Sequence, residues 1–265
     1  MDNGLIYDVG AHRGEDSDYY LRLGYRVVAV EANPHLVDWL RTRFRQEIAD
    51  GSYILIPNAI GERGEQIDFY VNRENSAWGT TNPEWAGRNR LLGAESDVVT
   101  VDCVRFADIL HEHGCPHYLK IDIEGADMRC VEDLAEAAVT PAYISIESSK
   151  TSWRALLGEF EALSSLGYTR FKVVDQCQFE KRQLSDSDGN VIDYTFGPGA
   201  SGPFGEDLAG KWLTRRQAII RYIPIFLVYK TLGDNTLLSR LLARLPVFNR
   251  LLHLVSWYDT HARKG

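Results

Sequence analysis

Several features that mark whole classes of protein are scarce or missing from this sequence. Its four cysteines, Cys103, Cys115, Cys130 and Cys177, form no Cys-x-x-Cys pair, so no zinc-ribbon or thioredoxin-type motif is present and free thiols are the expectation. No leader pattern precedes the first apolar run, which begins almost at Met1, and the apolar run Tyr222 to Tyr229 falls far short of the roughly 20 residues that cross a bilayer. A cytoplasmic location follows as the expectation. Positive charge is scarce in the body of the chain: residues 1–210 carry a net −16, and the segment from Lys211 onward carries +8. Phosphate contacts need clustered Lys and Arg, so this acidic body speaks against a nucleic-acid partner. What remains is ordinary for a soluble globular protein: 265 residues, 45% hydrophobic and 25% charged, enough for one large domain with an appendage.

The organising stretch is Leu5 to Ser17, LIYDVGAHRGEDS. Leu5, Ile6, Tyr7 and Val9 suit a short buried strand, Gly10 and Gly14 a tight turn, and Glu15 to Gly24 a helix. Glycine lets a ligand approach the main chain, and the following helix N-terminus offers free N–H groups. A dinucleotide-binding turn reads Gly-x-Gly-x-x-Gly and receives a pyrophosphate, whereas here Asp8 stands at the first glycine position and would repel that anion. The pattern instead suits a ligand with an ammonium group and no phosphate. Glu31, ending the next apolar run Val27 to Val30, fits a pair of ribose hydroxyls. Adenosine with a cationic amino-acid tail describes S-adenosylmethionine. The bland reading is a glycine turn with an unrelated surface acid.

Further along, Asn33-Pro34 opens a helix with Leu36, Val37, Leu40 and Phe44 at helical spacing, and Tyr53 to Pro57 is a third strand followed by Asn58-Ala59-Ile60. Alternating strands and helices predict an α/β three-layer sandwich on a mainly parallel sheet, with the ligand at the carboxyl ends of the strands. Gln66 to Val71 and Asp97 to Val101 read as strands, and the polar segment Asn72 to Glu95, with Trp78 in it, reads as an aperiodic cover over the pocket. Arg105 to His113 is a helix stopped by Gly114. The cluster His111, His113, Cys115 and His117 has the ligand types of a zinc site, but the two helical histidines are only two apart and the segment is explained as a helix stop before a strand.

That strand, His117 to Ile123, carries Lys120, Asp122 and Glu124 on one side at period two. Central parallel strands are normally apolar on both faces, so the charges form either an ion-paired cluster or a site opening at the strand end. Asp127 to Leu134 is read as a helix, Ala142 to Ile146 as a strand ending in Glu147, Trp153 to Leu166 as an amphipathic helix, and Phe171 to Val174 as a strand. An antiparallel pair around Phe179 to Leu184 and Val191 to Phe196 then ends a domain over residues 1–196. Residues 197–210, rich in Gly and Pro, form either a linker or a shaped loop over the site. Residues 211–265 are basic and apolar, with Leu237, Leu238, Leu241, Leu242 and Leu245 on one helical face. They are expected to form a helical C-terminal extension that covers the pocket, pairs with a second subunit or lies on an anionic membrane surface.

Taken together, Tyr7-Asp8-Val9-Gly10-Ala11-His12-Arg13-Gly14, Val30-Glu31-Ala32-Asn33-Pro34, Asn58-Ala59-Ile60-Gly61 and Leu119-Lys120-Ile121-Asp122-Ile123-Glu124-Gly125-Ala126 resemble the FkbM family of methyltransferases over roughly residues 4–175. The resemblance implies a class I methyltransferase fold, S-adenosyl-L-methionine as methyl donor, and O-methylation of a sugar, glycan or natural-product hydroxyl. It puts Asp8, Gly10 and Gly14 around the methionine part of the donor, Glu31 on the ribose, and Asn58 with Ala59 near the adenine, with Ser17 and Asn33 as further donor-binding residues. His12 departs from the asparagine common at its position and receives no contact. Asp122 is the expected base for the attacking hydroxyl, with Glu124 and Lys120 beside it, while Glu147 and Trp78 are expected to flank the acceptor. Asp122 and Glu147 are also the candidate ligands of a divalent metal such as magnesium. The acceptor is a small molecule or glycan, lipid-linked if the extension places the enzyme at the inner face of the membrane, and a homodimer is the other expected use of that extension. The competing reading is a non-catalytic S-adenosylmethionine-binding or interaction protein on the same scaffold, which binding calorimetry would separate.

Overall fold

The computed structural model describes residues 4–123, 125–176, 182–185, 191–197, 199–232 and 258–265. In chain order the elements are β1 (Leu5–Val9), α1 (Glu15–Arg22), β2 (Arg26–Val30), α2 (Pro34–Arg43), α3 (Arg45–Asp50), β3 (Tyr53–Ile56), β4 (Ala59–Ile60), β5 (Gln66–Asn72), α4 (Pro83–Leu91), β6 (Ser96–Val104) and α5 (Phe106–His113). There follow β7 (Tyr118–Ile121), α6 (Asp127–Glu136), β8 (Tyr143–Glu147), α7 (Trp153–Ser165), β9 (Arg170–Asp175), β10 (Arg182–Ser185), β11 (Val191–Tyr194), α8 (Arg215–Leu232) and β12 (Tyr258–Arg263).

A seven-stranded sheet in the order β3-β2-β1-β7-β8-β12-β9 divides the molecule. Strands β3, β2, β1, β7 and β8 run parallel, and β12 enters antiparallel between β8 and β9. The strand order reverses between β1 and β7, the place where open α/β sheets leave a crevice at the carboxyl ends of their strands. Central strands are apolar on both faces because both are covered: Ile6, Tyr7, Val9, Val28, Leu119, Ile121, Ile144 and Ile146 are all buried. A small sheet, β4-β6-β5, extends this end of the molecule, and β10 pairs with β11.

Besides the short α3 and β4, which the sequence reading did not assign, two elements differ from it. Residues 83–91, expected to be aperiodic, form α4; its starting signal, Asn82 capping the Glu84 N–H with Pro83 next, repeats that of α2, but only Ala86 and Asn89 are buried, so no hydrophobic period advertises it. The second correction is larger. The stretch Tyr258–Arg263, placed by its sequence in a helical extension, is the sixth strand of the main sheet. Its polar side chains hid it: buried Thr260 meets Ser148 Oγ at 2.6 Å and Tyr222 OH at 2.8 Å, and the buried His261 ring stacks on Tyr118. Thr260 is buried at little cost because it has these partners, and with Asp259 and His261 also buried the strand lacks the apolar signature that reveals the others. The proposed leucine face from Leu237 to Leu245 lies outside the described residues.

Residues 199–208 are a docked loop rather than a linker. Its N–H groups at Ser201 and Gly202 donate to the two carboxylate oxygens of Asp16 (2.9 and 3.1 Å), its Phe204 ring lies flat on Tyr118 at 4.3 Å, and Leu208 O accepts from Lys172 Nζ at 2.7 Å.

Candidate active site

At the strand ends of β1, β2 and β7 opens a cavity of about 400 Å³, within the range of small-molecule sites. Gly10 makes it possible. With φ at +86° its N–H donates to Val30 O (2.9 Å), and a Cβ there would sit 1.8 Å from the main-chain oxygen of Asp122, so no other residue lets the turn pass so close to β7. The N–H of Asp122 donates to Val9 O (2.9 Å), so the first residue beyond β7 is held by the sheet and its side chain lines the cavity.

Glu31 follows β2. Its carboxylate is buried and accepts the main-chain N–H of His12 (2.8 Å, Oε2) and of Asn33 (2.8 Å, Oε1), so its orientation is fixed from both sides. Burial pushes its pKa up to about 7, against the pull of those two N–H groups. Lys120 lines the cavity and its ammonium contacts Asp8 Oδ1 (3.1 Å), Asp16 Oδ2 (3.4 Å) and Gly10 O (3.2 Å). Burial disfavours its charge, but Asp8 and Asp16 outweigh that and hold its pKa well above the ordinary lysine value. Burial also pushes Asp16 up to about 6, an effect only partly offset by Lys120.

The charge facing the ligand is anionic, though not for the reason the sequence suggested. Asp8 does not line the cavity: it lies behind the turn, neutralised by Lys120 and bonded by Ser17 Oγ at 2.6 Å. Glu15, Asp16, Glu31 and Asp122 line it instead, opposed by the single ammonium of Lys120. Four acids against one ammonium, with Asp16 and Glu31 buried, favour a cationic guest.

Of the other expected ligands, Gly10, Glu31, Asn58, Ala59, Trp78, Lys120 and Asp122 reach the cavity, whereas Gly14, Ser17, Asn33 and Glu147 do not. Gly14 is needed because a Cβ would strike the Phe44 ring at 2.3 Å, and Ser17 serves Asp8. Asn33 caps α2 through the His35 N–H. Glu147 ends β8 opposite Asp259 of β12, one strand away from the cavity wall. Glu124 lies outside the described residues.

His12, to which the sequence assigned no contact, links two walls: with φ at +51°, its ring places Nδ1 3.2 Å from Glu15 Oε1 and Nε2 2.8 Å from Ser76 Oγ. Ser76 belongs to the cover expected from the sequence. Residues 72–82 fold over the cavity through side-chain turns, with Asn72 Oδ1 accepting the N–H groups of Glu74 and Asn75, and Asn75 Oδ1 that of Ala77. Glu15 and Asp16 were also missed as lining residues; their place in the first helical turn explains acids there equally well by the helix dipole.

The donors do not suit a divalent metal. Asp8 and Asp16 are committed to Lys120, Glu147 does not reach Asp122's cavity, and among the described residues no three His, Cys, Asp or Glu are grouped to hold an ion. This applies equally to His111, His113, Cys115 and His117, where Gly114 simply closes α5.

A sheet of this order, with an acid-lined cavity at its switch point and a fixed carboxylate after β2, defines a class I methyltransferase. The chain matches the Methyltransferase FkbM domain over residues 8–170, more than half its length, and belongs to that family, whose members are S-adenosylmethionine-dependent methyltransferases. Among solved structures, precorrin-6y C5,15-methyltransferase from Geobacter metallireducens is similar at 14% identity and a TM-score of 0.38, covering 73% of this chain and 76% of that one. Precorrin 8w decarboxylase from Methanobacterium thermoautotrophicum gives 12%, 0.37, 73% and 77%, and the [4+2]-cyclase SpnF gives 10%, 0.38, 100% and 76%. A comparison with curated protein sequences finds no match.

Proposed function

We propose that this enzyme methylates a hydroxyl of a sugar, glycan or natural-product acceptor, with Asp122 taking the proton. One observation carries the reading. A second cleft, of about 480 Å³, adjoins the acid-lined cavity: Thr81 and Ala126 line both, and Asp122 stands on the cavity side of that seam. The cleft mixes apolar surface from Ile67, Tyr70 and Met128 with the polar groups of Asp68, Asn82 and Arg129, a lining suited to a polyhydroxylated acceptor.

The cavity residues fit S-adenosylmethionine, which when bound supplies an electrophilic methyl carbon on a sulfonium. Glu31 would accept from the ribose hydroxyls, and the main chain at Gly10 and Ala11 together with Glu15 would receive the cationic tail. Asn58, Ala59 and Phe69 would flank the adenine. The cover at Asn75–Gly79 keeps water out, and Asp122 accepts the proton of the acceptor hydroxyl as it becomes a nucleophile. No step calls for a metal.

The test is transfer of label from S-adenosylmethionine to a panel of sugars and glycosides, followed by mass spectrometry of the product. A product methylated on oxygen supports the reading. Methylation on nitrogen or carbon overturns it.

A further inference from the structure

Five of the nine large hydrophobic side chains that stand exposed among the described residues lie on two neighbouring helices: Trp153 and Leu157 of α7, and Ile220, Ile223 and Leu227 of α8. On α8 they are not scattered. Ile220, Ile223 and Leu227 follow one another at helical spacing and are 53%, 44% and 61% exposed. The opposite face of the same helix, with Ala218 and Tyr222 fully buried, is fixed to the domain, and Tyr222 OH meets Thr260 of the sheet at 2.8 Å. The helix therefore cannot roll its outer stripe inward. A helix apolar on all sides is ordinarily surrounded, and this one is surrounded on one side only. The patch continues across to α7, where the Trp153 ring packs edge-on against Phe226 at 4.9 Å.

The charges around the stripe say what meets it. Over its eighteen residues α8 has no acid and four cations, Arg215, Arg216, Arg221 and Lys230. Arg215 is spent on Glu161, whereas Arg216, Arg221 and Lys230 are exposed and make no ion pair among the described residues. Arg216 and Lys230 stand at the two ends of the apolar stripe and Arg221 flanks it. The segment from Lys211 onward carries +8, so the cations of α8 belong to the basic part of the chain. Two such faces laid against each other about a two-fold axis would oppose like charges, which disfavours a second copy as the occupant.

We propose that the outer face of α8, with Trp153 and Leu157 beside it, docks on an anionic lipid surface. The apolar stripe enters the headgroup boundary, Trp153 sits at the interface, and the flanking Arg and Lys reach the lipid phosphates. This is binding to a surface, not insertion: among the described residues no helix is long and apolar enough to cross a membrane. The proposal does not depend on the acceptor, since it concerns where the enzyme works.

The experiment is co-sedimentation of the full chain with phosphatidylcholine vesicles, with and without phosphatidylglycerol, at low and high salt. Binding is expected only with phosphatidylglycerol and should weaken as salt rises. The variant carrying Ile220→Glu and Leu227→Glu should lose binding at least tenfold. The variant carrying Arg216→Gln, Arg221→Gln and Lys230→Gln should lose about fivefold per cation removed. All these positions are exposed, so circular dichroism and the calorimetric affinity for S-adenosylmethionine should be those of the parent; failure to bind S-adenosylmethionine would count against the donor site and leave the docking face untouched. Absence of binding to the phosphatidylglycerol vesicles overturns the proposal. So does equal binding by the glutamate variant, or a dimer in sedimentation velocity that the same glutamates dissociate.

Discussion

Gly10 and Asp122 meet main chain to main chain, and the site is built outward from that contact. Gly10→Ala would drive a methyl group into the Asp122 carbonyl, so the expected outcome is a loss of about 2–4 kcal/mol of stability by denaturant titration together with loss of S-adenosylmethionine binding. Asp122→Asn should keep the fold and most of the donor affinity, which Glu15, Asp16 and Glu31 still support, and lower methyl transfer by about 10²–10⁴-fold, read in single-turnover assays; unchanged turnover would remove Asp122 from the base role. Both residues were legible because the motif around each is local. The role of Asp8 was not. A carboxylate in a glycine turn looks the same in sequence whether it faces the ligand or, as here, a lysine brought from β7, 112 residues away.

Among the elements, the docked loop and β12 are the ones that only long-range contacts create. Asp16 holds the loop through the Ser201 and Gly202 N–H groups, and Gly199 and Ala200 of that loop line the cavity. Asp16→Ala should therefore free residues 199–208 to limited proteolysis and weaken donor binding about tenfold or more, and an uncut loop would show that Phe204 on Tyr118 suffices to hold it. Removing residues 258–265 takes out a strand bonded on both sides, so the shortened chain is expected to be insoluble or molten by near-UV circular dichroism rather than a domain lacking only an appendage. Strands with strong apolar alternation or continuous apolar runs were readable; β12 was not, because Asp259, Thr260 and His261 look like surface when read alone and are buried here.

At the scale of the whole molecule, buried acids set the dependence of stability on pH. Burial first of all raises Glu31 and Glu159 to about 7 and Asp16 and Asp127 to about 6, so from pH 8 down to 6 the folded state takes up protons that the unfolded chain does not. Stability rises as pH falls through that window. His261 works in the opposite sense: desolvation depresses it to about 3, so below its ordinary value near 6.5 only the unfolded state takes up its proton, and stability is lost. Four raised acids outweigh one depressed histidine, so the Tm of the ligand-free protein is expected to fall from pH 6 to pH 8 by scanning calorimetry, and a Tm climbing over that range would contradict these shifts. A cationic ligand beside Glu31 and Asp16 should lessen that fall.

By itself the sequence determined the parallel α/β layering, the strand ends where the site opens, the glycine turn and the strand-end positions of Glu31 and Asp122, because each is written in short-range periodicity or in a single strand and its turn. Only the tertiary structure decided which acids face the ligand, that the last strand belongs inside the sheet, and that the Gly- and Pro-rich stretch is a wall of the site. Those outcomes depend on which distant group neutralises or accepts a polar side chain, and pairing across the chain leaves no mark in its local pattern.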